Sequence, residues 1–347
     1  MSSFRREEWG KIEYNPESDE FEAYLASSDC RVVSQRPISA GVLVTGKCNL
    51  KCAFCYGNNE SLPKTDIDLA HWTRIFARLR SWGLMRIDIS GGEPTVRKDL
   101  PKIAEAAQSL GLAVVISTNG LLLDPAQLGD FPNVRWHVSV DSGVAEVHER
   151  SRNRQLHVLK PSFGSLETVS RFLMGCAERG LRSRALTCVG AHNCEALFSL
   201  GEKLALWGVT DWNISRVLRA GRAQADYAKR WYVSNKSLLS QVKDLRRAFP
   251  FIRIRYSDRT DQNGYFLLLL PDGSLATQYT DHRDKVVLGD PLQMTLSDLQ
   301  NHPDFNLQSH SRKWIATELQ MPGRDDRLPF AATRGLQMSG SLEFGML

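Results

Sequence analysis

Residues 48–56 read CNLKCAFCY, which sets Cys48, Cys52 and Cys55 at the spacing C-x3-C-x2-C, with the aromatic Phe54 just before the third thiol. Three thiolates on one short loop can hold three irons of a cubane [4Fe–4S] cluster and leave the fourth iron open to a ligand from outside the protein. A closed structural site takes four protein ligands. Here the next cysteine is Cys176 and the next histidine is His71, beyond the start of a helix. The ligand set is therefore incomplete, and something else coordinates there. A zinc knuckle with a remote fourth ligand is the competing reading, and iron and sulfide analysis separates the two.

Outward from this loop the chain alternates strand and helix. Gly41–Val44 is a short apolar strand leading into the cysteines, and residues 66–82 carry apolar positions at 69, 72, 75, 76 and 79, a helical period. Met85–Ile89 reads as a strand that feeds Gly91-Gly92-Glu93-Pro94. After a helix at 100–110, the strand Leu112–Ile116 feeds Ser117-Thr118-Asn119-Gly120, and the strand Val134–Val140 runs through Ser139 into Asp141. Helices at 165–179 and 194–206 frame strands at 184–189 and 212–214. Six β-then-α units in series predict a parallel sheet with crossover helices. Every motif lies just past the C-terminal end of a strand, where ligands gather in a parallel barrel. The pattern alone fits an open barrel and a doubly wound sheet equally.

Taken together, Cys48, Cys52 and Cys55 with Phe54, then GGEP at 91–94, STNG at 117–120 and Ser139-Val140-Asp141, resemble the radical S-adenosylmethionine (radical SAM) superfamily in order and interval. The resemblance covers residues 40–220 and, more weakly, 264–300. It implies an α/β fold, an open partial (β/α)6 barrel over residues 40–223, carrying one [4Fe–4S] cluster and SAM. In such enzymes the open iron chelates the amino and carboxylate groups of SAM. One electron, generally from a flavodoxin or ferredoxin, then cleaves the sulfonium to a 5′-deoxyadenosyl radical that abstracts a substrate hydrogen.

The resemblance also assigns roles to cofactor-binding residues. Phe54 would help form the adenine pocket, Gly91 and Gly92 would let the chain pass close to the ligand, and Glu93 would offer a carboxylate to the SAM amino group. Ser117, Thr118 and Asn119 form the ribose-contacting loop, with Ser139 and Asp141 in the equivalent place one unit later. Asp141, His148 and Arg150 match a stretch found in peptide-modifying members, although Ser142 replaces the usual glycine. On its own chemistry, Arg184 at the start of the fifth strand would meet the SAM carboxylate with its fork, and Cys188 and Val189, followed by Asn193, would line the adenine. Cys188 adds a weak S–H bond, able to give a hydrogen atom to a substrate radical. No residue is assigned to the catalytic step itself.

Composition bounds the rest. Hydrophobic residues at 42% and charged residues at 24% suit a globular protein. No apolar run approaches the roughly 18–20 residues that span a bilayer. The N-terminus lacks the apolar core of a signal peptide. Seven cysteines, three of them clustered, argue for a reducing compartment. The expected location is the cytoplasm, with neither membrane nor nucleic acid as a partner. Cys30, Cys176, Cys188 and Cys194 read as small buried hydrophobes. Residues 216–259 hold twelve Lys or Arg against three Asp (226, 244 and 258), a basic run that suits an anionic group on the substrate.

Residues 1–39 read as a polar, turn-rich extension without an evident leader-binding domain. Residues 224–321 begin with a long helical stretch and end in a β-rich α+β cap, with a hairpin turn at Pro271-Asp272-Gly273. This segment resembles the SPASM or twitch extension that carries auxiliary clusters in relatives. Thr277, Gln278 and Tyr279 stand where a cysteine would follow, and no cysteine occurs after Cys194. The cap is thus expected to shield the radical without a cluster of its own, and residues 322–347 to form a loose tail. The expected function is hydrogen abstraction from a small natural-product intermediate, an anionic nucleoside, sugar or amino-acid derivative. Maturation of a ribosomally made peptide is the alternative, and a non-catalytic iron–sulfur scaffold the alternative of another class.

Overall fold

The computed structural model describes residues 3–25, 34–57, 61–152, 164–258, 264–280 and 284–319. Three antiparallel strands open the chain: β1 (Ser3–Glu7), β2 (Gly10–Asn15) and β3 (Glu20–Leu25). The alternating region follows as β4 (Ser39–Leu43), α1 (Leu69–Ser81), β5 (Arg86–Ser90), α2 (Leu100–Ser109), β6 (Ala113–Thr118) and β7 (Arg135–Ser139). It continues through α3 (Ala145–Arg152), α4 (Ser165–Glu178), β8 (Ser183–Val189), α5 (Leu197–Leu206), β9 (Asp211–Arg216), α6 (Asn235–Ala248) and β10 (Arg253–Ser257). Short strands β11 (Leu268–Leu269), β12 (Leu275–Thr277) and β13 (Val286–Gly289) precede α7 (Leu296–Gln300) and α8 (Leu307–Leu319).

Strands β4 to β10 pair in parallel in chain order, and β11 joins the free side of β4, also in parallel. The antiparallel β12 and β13 then extend the same sheet, which ends at β10 on one side and β13 on the other. The barrel is open, as the resemblance implies. One difference is that Arg253–Ser257, read as part of the cap, pairs with β9 in register Arg255 to Asn213. Joined to β9 through α6, it adds a seventh parallel strand beyond the boundary expected at 223/224. The hairpin falls as expected, with Gly273 at φ +87° and Leu270 donating to the Ser274 carbonyl at 2.8 Å.

The alternation of each strand decides what the barrel contains. Ile87 and Ile89, Val114 and Ile116, Trp136 and Val138, and Trp212 and Ile214 point outward into one core with Trp72, Ile75, Phe76 and Leu79 of α1 and Phe172 of α4. Each such buried side chain contributes about 1.5–3 kcal/mol of transfer free energy. Asp68 starts α1 by accepting the His71 N–H at 2.8 Å. The opposite face of the same strands is polar: Asp88, Ser117, His137, Ser139, Cys188, Asn213 and Ser215 line the lumen. No helix among the described residues is long and apolar enough to cross a membrane.

The N-terminal segment departs from its expectation as a turn-rich extension. Ile12, Tyr14 and Phe21 alternate inward on β2 and β3 and pack with Ile38, Met85 and Ile315 into a second core. The turn before β3 then reaches the N-terminal end of the barrel. Its Asp19, at φ 57°, accepts from the Tyr14 hydroxyl at 2.8 Å and pairs with Arg86 at 3.1 Å, His137 at 3.1 Å and Arg184 at 2.7 Å. Burial alone would raise the Asp19 carboxyl, but Arg86, His137 and Arg184 outweigh it and hold it well below the usual carboxylate range. Cys30 and residues 322–347 lie outside the described residues.

A depressed carboxyl contributes stability above its unfolded-state pKa, near 4, and loses it as pH falls through the folded value. We expect Asp19→Asn to lower the unfolding free energy by about 3–5 kcal/mol at neutral pH. Urea unfolding should show that deficit shrinking as pH drops below about 4; a constant deficit would contradict the ion network as its source.

Candidate functional site

The cysteine loop leaves the C-terminal end of β4. Cys48, Cys52 and Cys55 are each half-buried and free of disulfides. The Cys55 N–H donates to the Cys52 carbonyl at 3.3 Å, and the Leu50 N–H to the Cys48 Sγ at 3.4 Å. Burial pushes the Cys48 and Cys52 thiols up to about 12. Such thiols hold a negative charge only beside a cation, and a coordinated metal deprotonates them outright. No three His, Cys, Asp or Glu side chains among the described residues converge on a point that would suit a single metal ion. Cubane ligands bind one iron each, and three thiols on one loop are a donor set that would suit a cluster with one open iron.

The GGEP turn closes over this loop. Gly92 donates its N–H to the Thr45 carbonyl and Glu93 to the Lys47 carbonyl, both at 2.8 Å. A Cβ on Gly91, which sits at φ +141°, would come within 2.4 Å of the Thr45 carbonyl oxygen, and one on Gly92 within 2.1 Å of that of Lys47. Only glycine fits at either position. Glu93 is 2% exposed. Its Oε1 accepts from the Thr95 N–H and from the Thr95 and Thr118 hydroxyls, and its Oε2 accepts the Asn119 N–H. Burial raises this carboxyl despite those bonds. The side chain thus braces the GGEP turn against the STNG loop, and Asn119 extends the brace by donating to Asn49 Oδ1 at 2.7 Å. Ser117 lies lower in the lumen and donates to Asp88 at 2.7 Å.

Past β7, Ser139 ends the strand half-buried and Asp141 is fully buried. Asp141 accepts the Cys188 N–H at 3.2 Å and pairs with Arg152 at 2.7 Å. Burial would lower the Arg152 guanidinium, but Asp141 and Cys52 raise it above its ordinary value, so it stays charged. That guanidinium lies 5.7 Å from the Phe54 ring centroid. His148 on the same helix accepts the Asp141 N–H at 3.3 Å, and burial pushes its imidazole down to about 4. Phe54 stacks on His192 at 5.6 Å and meets Trp231 edge-on at 5.7 Å. Both ring nitrogens of His192 are buried without a hydrogen-bond partner. Val189 ends β8 fully buried, and Cys188 faces the lumen with its Sγ 4.0 Å from Ser215 Oγ. Cys176 is buried as expected, whereas Cys188 and Cys194 are half-buried.

Arg184 is placed elsewhere. It is the second residue of β8, at the opposite end of the barrel, and its guanidinium binds Asp19 at 2.7 Å and Asp211 at 3.1 Å. Arg184 does lie at the start of a strand, and that start is the end remote from the motifs. The basic run is also accounted for internally at several points. Arg216 pairs with Asp258, Arg246 donates to the Ile254 carbonyl, and Arg255 pairs with Asp211 and Glu20.

Several site residues had escaped the sequence reading. Arg152 follows His148 by one helical turn and so shares its face, whereas Arg150, singled out from the sequence, is exposed. That spacing was a usable signal. His192, Trp231, Arg222 and Lys285 reach the cysteine loop over long sequence separations and carried none. Arg222 donates its N–H to the Cys55 carbonyl at 3.0 Å and its Nη1 to that of Cys52 at 3.3 Å. Lys285 donates to the carbonyls of Tyr56 at 3.0 Å and Gly57 at 2.7 Å, with burial lowering its ammonium to about 8.

A sequence profile described as the Radical SAM superfamily matches residues 42–171. Among curated proteins, the Fe-coproporphyrin III synthase of Methanosarcina barkeri is 31% identical over 167 residues, 46% of this chain and 40% of that protein. The sporulation killing factor maturation protein SkfB of Bacillus subtilis is 25% identical, covering 55% and 45%, and the PqqA peptide cyclase of Xanthomonas euvesicatoria 26%, covering 61% and 54%. The chain spans about half the length of the curated relatives it matches. Among solved structures, Streptococcus suis SuiB bound to S-adenosylmethionine superposes with a TM-score of 0.67 at 12% identity, over 88% of each chain. The anSMEcpe enzyme with bound AdoMet and the Cp18Cys peptide gives 0.61 at 16%, over 82% of this chain and 84% of that one. At such identities these two structures speak for the fold.

Gly92→Ala tests the closure of the loop. Forcing a methyl against the Lys47 carbonyl should cost about 1–3 kcal/mol. Calorimetry should show a lower Tm, and iron analysis after anaerobic reconstitution a reduced metal content; normal values for both would contradict the observed contact.

Proposed function

From the radical SAM domain that residues 42–171 form, we propose that the chain abstracts hydrogen from a peptide substrate, with Cys48, Cys52 and Cys55 holding one [4Fe–4S] cluster. The observation that carries the cofactor reading is the assembly of three half-buried thiols, the Glu93 brace and Arg152 at one end of the strands. When bound there, the cluster and SAM supply a carbon-centred radical for C–H abstraction. The protein's part is to bind, orient and shield. The orphaned nitrogens of His192, which stacks on Phe54, suit the edge of a purine ring, which offers donors and acceptors. Arg152, held by Asp141, presents a permanent cation and takes over the carboxylate-binding role that the sequence gave to Arg184. Glu93 keeps the Thr118–Asn119 loop in place for the ribose. A flavodoxin or ferredoxin supplies the electron.

The peptide reading rests on the PqqA peptide cyclase relative and on SuiB and anSMEcpe, two neighbours solved with peptides. The anionic small-molecule reading drew on the basic run at 216–259, of which Arg216, Arg246 and Arg255 have partners within the protein. A small-molecule substrate stays as the second reading, on the strength of the synthase relative of Methanosarcina barkeri.

Reconstituted protein incubated anaerobically with SAM and dithionite should form 5′-deoxyadenosine, and Cys→Ser at 48, 52 or 55 should abolish both cluster and product. A fully loaded cluster without product would favour a scaffold. A precursor peptide encoded beside the gene should change mass in the same assay; an unchanged peptide would return the small-molecule reading to first place. Calorimetric titration should show Arg152→Met weakening SAM binding by about tenfold to a hundredfold. Arg184→Met should leave SAM affinity intact and lower the Tm instead.

A further inference from the structure

The cysteine loop is held from outside the motif-bearing strands by two cations. Gly221, at φ +57°, lets the chain after β9 approach so closely that a Cβ there would lie 2.6 Å from the Cys55 carbonyl oxygen and 2.7 Å from that of Tyr56. Arg222 then donates its backbone N–H to the Cys55 carbonyl and its guanidinium Nη1 to that of Cys52. From the cap, Lys285 donates to the Tyr56 and Gly57 carbonyls and lies 5.4 Å from the Tyr56 ring centroid. Lysine usually keeps its ammonium in water, and withdrawing it costs free energy unless it is well paired. Two carbonyls and an aromatic face pair this one.

We propose that Arg222 and Lys285 form a cationic clamp that raises the reduction potential of the cluster carried by the Cys48–Cys55 loop. This rests on the cluster reading of the preceding subsection. Adding an electron to a centre already bearing three thiolates makes it more negative, and fixed positive charge beside its ligand loop favours that reduced state. Donors to the loop carbonyls act in the same direction, as outer-sphere contacts do at other metal sites. Both residues are therefore positioning residues that act through the loop. The cap, which lacks cysteines, contributes to the redox centre through Lys285.

The test is an EPR-monitored redox titration of the reconstituted full chain at pH 7 without SAM, with iron and sulfide counted in every sample. The variants are Lys285→Met, Lys285→Gln and Lys285→Arg. Gln keeps donors for the two carbonyls and removes the charge, so it reports even if Met disturbs the loop. At equal iron content, Met and Gln should cut the ratio of reduced to oxidised cluster at a given potential by about tenfold. That corresponds to a negative shift of about 60 mV, at about 59 mV per decade for one electron. Lys285→Arg should titrate with the wild type. Met and Gln variants that titrate with the wild type at equal iron would overturn the clamp alone. A wild-type chain that binds no four-iron cluster would overturn the cluster reading and the clamp with it.

Discussion

Everything at the C-terminal rim depends on one close backbone approach, that of Gly91 and Gly92 to Thr45 and Lys47. Hydrogen bonds there join the strand that launches the cysteines to the strand that launches Glu93. Because no side chain intervenes, Glu93 drops into a buried position where its oxygens accept from Thr95 in its own turn and from Thr118 and Asn119 in the next loop. Asn119 then returns to Asn49, beside the first cysteine. A closed circuit of short contacts thus fixes three loops that are far apart in the chain. Rigid placement of this kind is what a reactive site requires of its supporting residues.

The barrel treats its two ends differently. At the N-terminal end, Arg86, Arg184 and His137 converge on Asp19, and Arg135 donates to the carbonyls of Pro16 and Glu17. Charge there is matched and dry, as a buried ion network must be to be stable. Towards the other end the lumen presents hydroxyls, a thiol and the partly exposed Asp88, which His137 and Arg86 hold below the ordinary carboxyl range against the opposing effect of burial. One end of the lumen is sealed by the N-terminal sheet, and the other faces the proposed cofactor site.

How much of this could be read from the sequence follows from the range of the interactions. The strands and the motifs at their ends were legible because apolar alternation and glycine-rich turns are local signals, and β4 through β9 fall within a few residues of their expected places. The strand at 253–257 falls in the stretch read as the start of the cap, and its pairing with β9, which places it in the barrel, was not legible. The N-terminal sheet was missed because Ile12, Tyr14 and Phe21 give only brief alternation among charged neighbours. Arg184 was misplaced for a related reason. Its position in the strand was clear, but which end of the barrel that position occupies depends on register with β7, where it pairs with His137. Arg152 was within reach through its helical spacing from His148, whereas Arg222 and Lys285 depend on the folded path of the chain.

The parallel pairing of β11 with β4 has a consequence for assembly. Gly41, in the strand that launches the cysteines, hydrogen-bonds to Leu267 and packs against Leu268, and Lys285 completes the support of the loop. A chain emerging from the ribosome therefore shows its thiols long before the segments that enclose them exist. The loop acquires its final shape only once some 230 further residues have been synthesised and folded back. Loss of the segment that carries Leu267, Leu268 and Lys285 would therefore strip support from a strand and loop encoded more than 200 residues earlier.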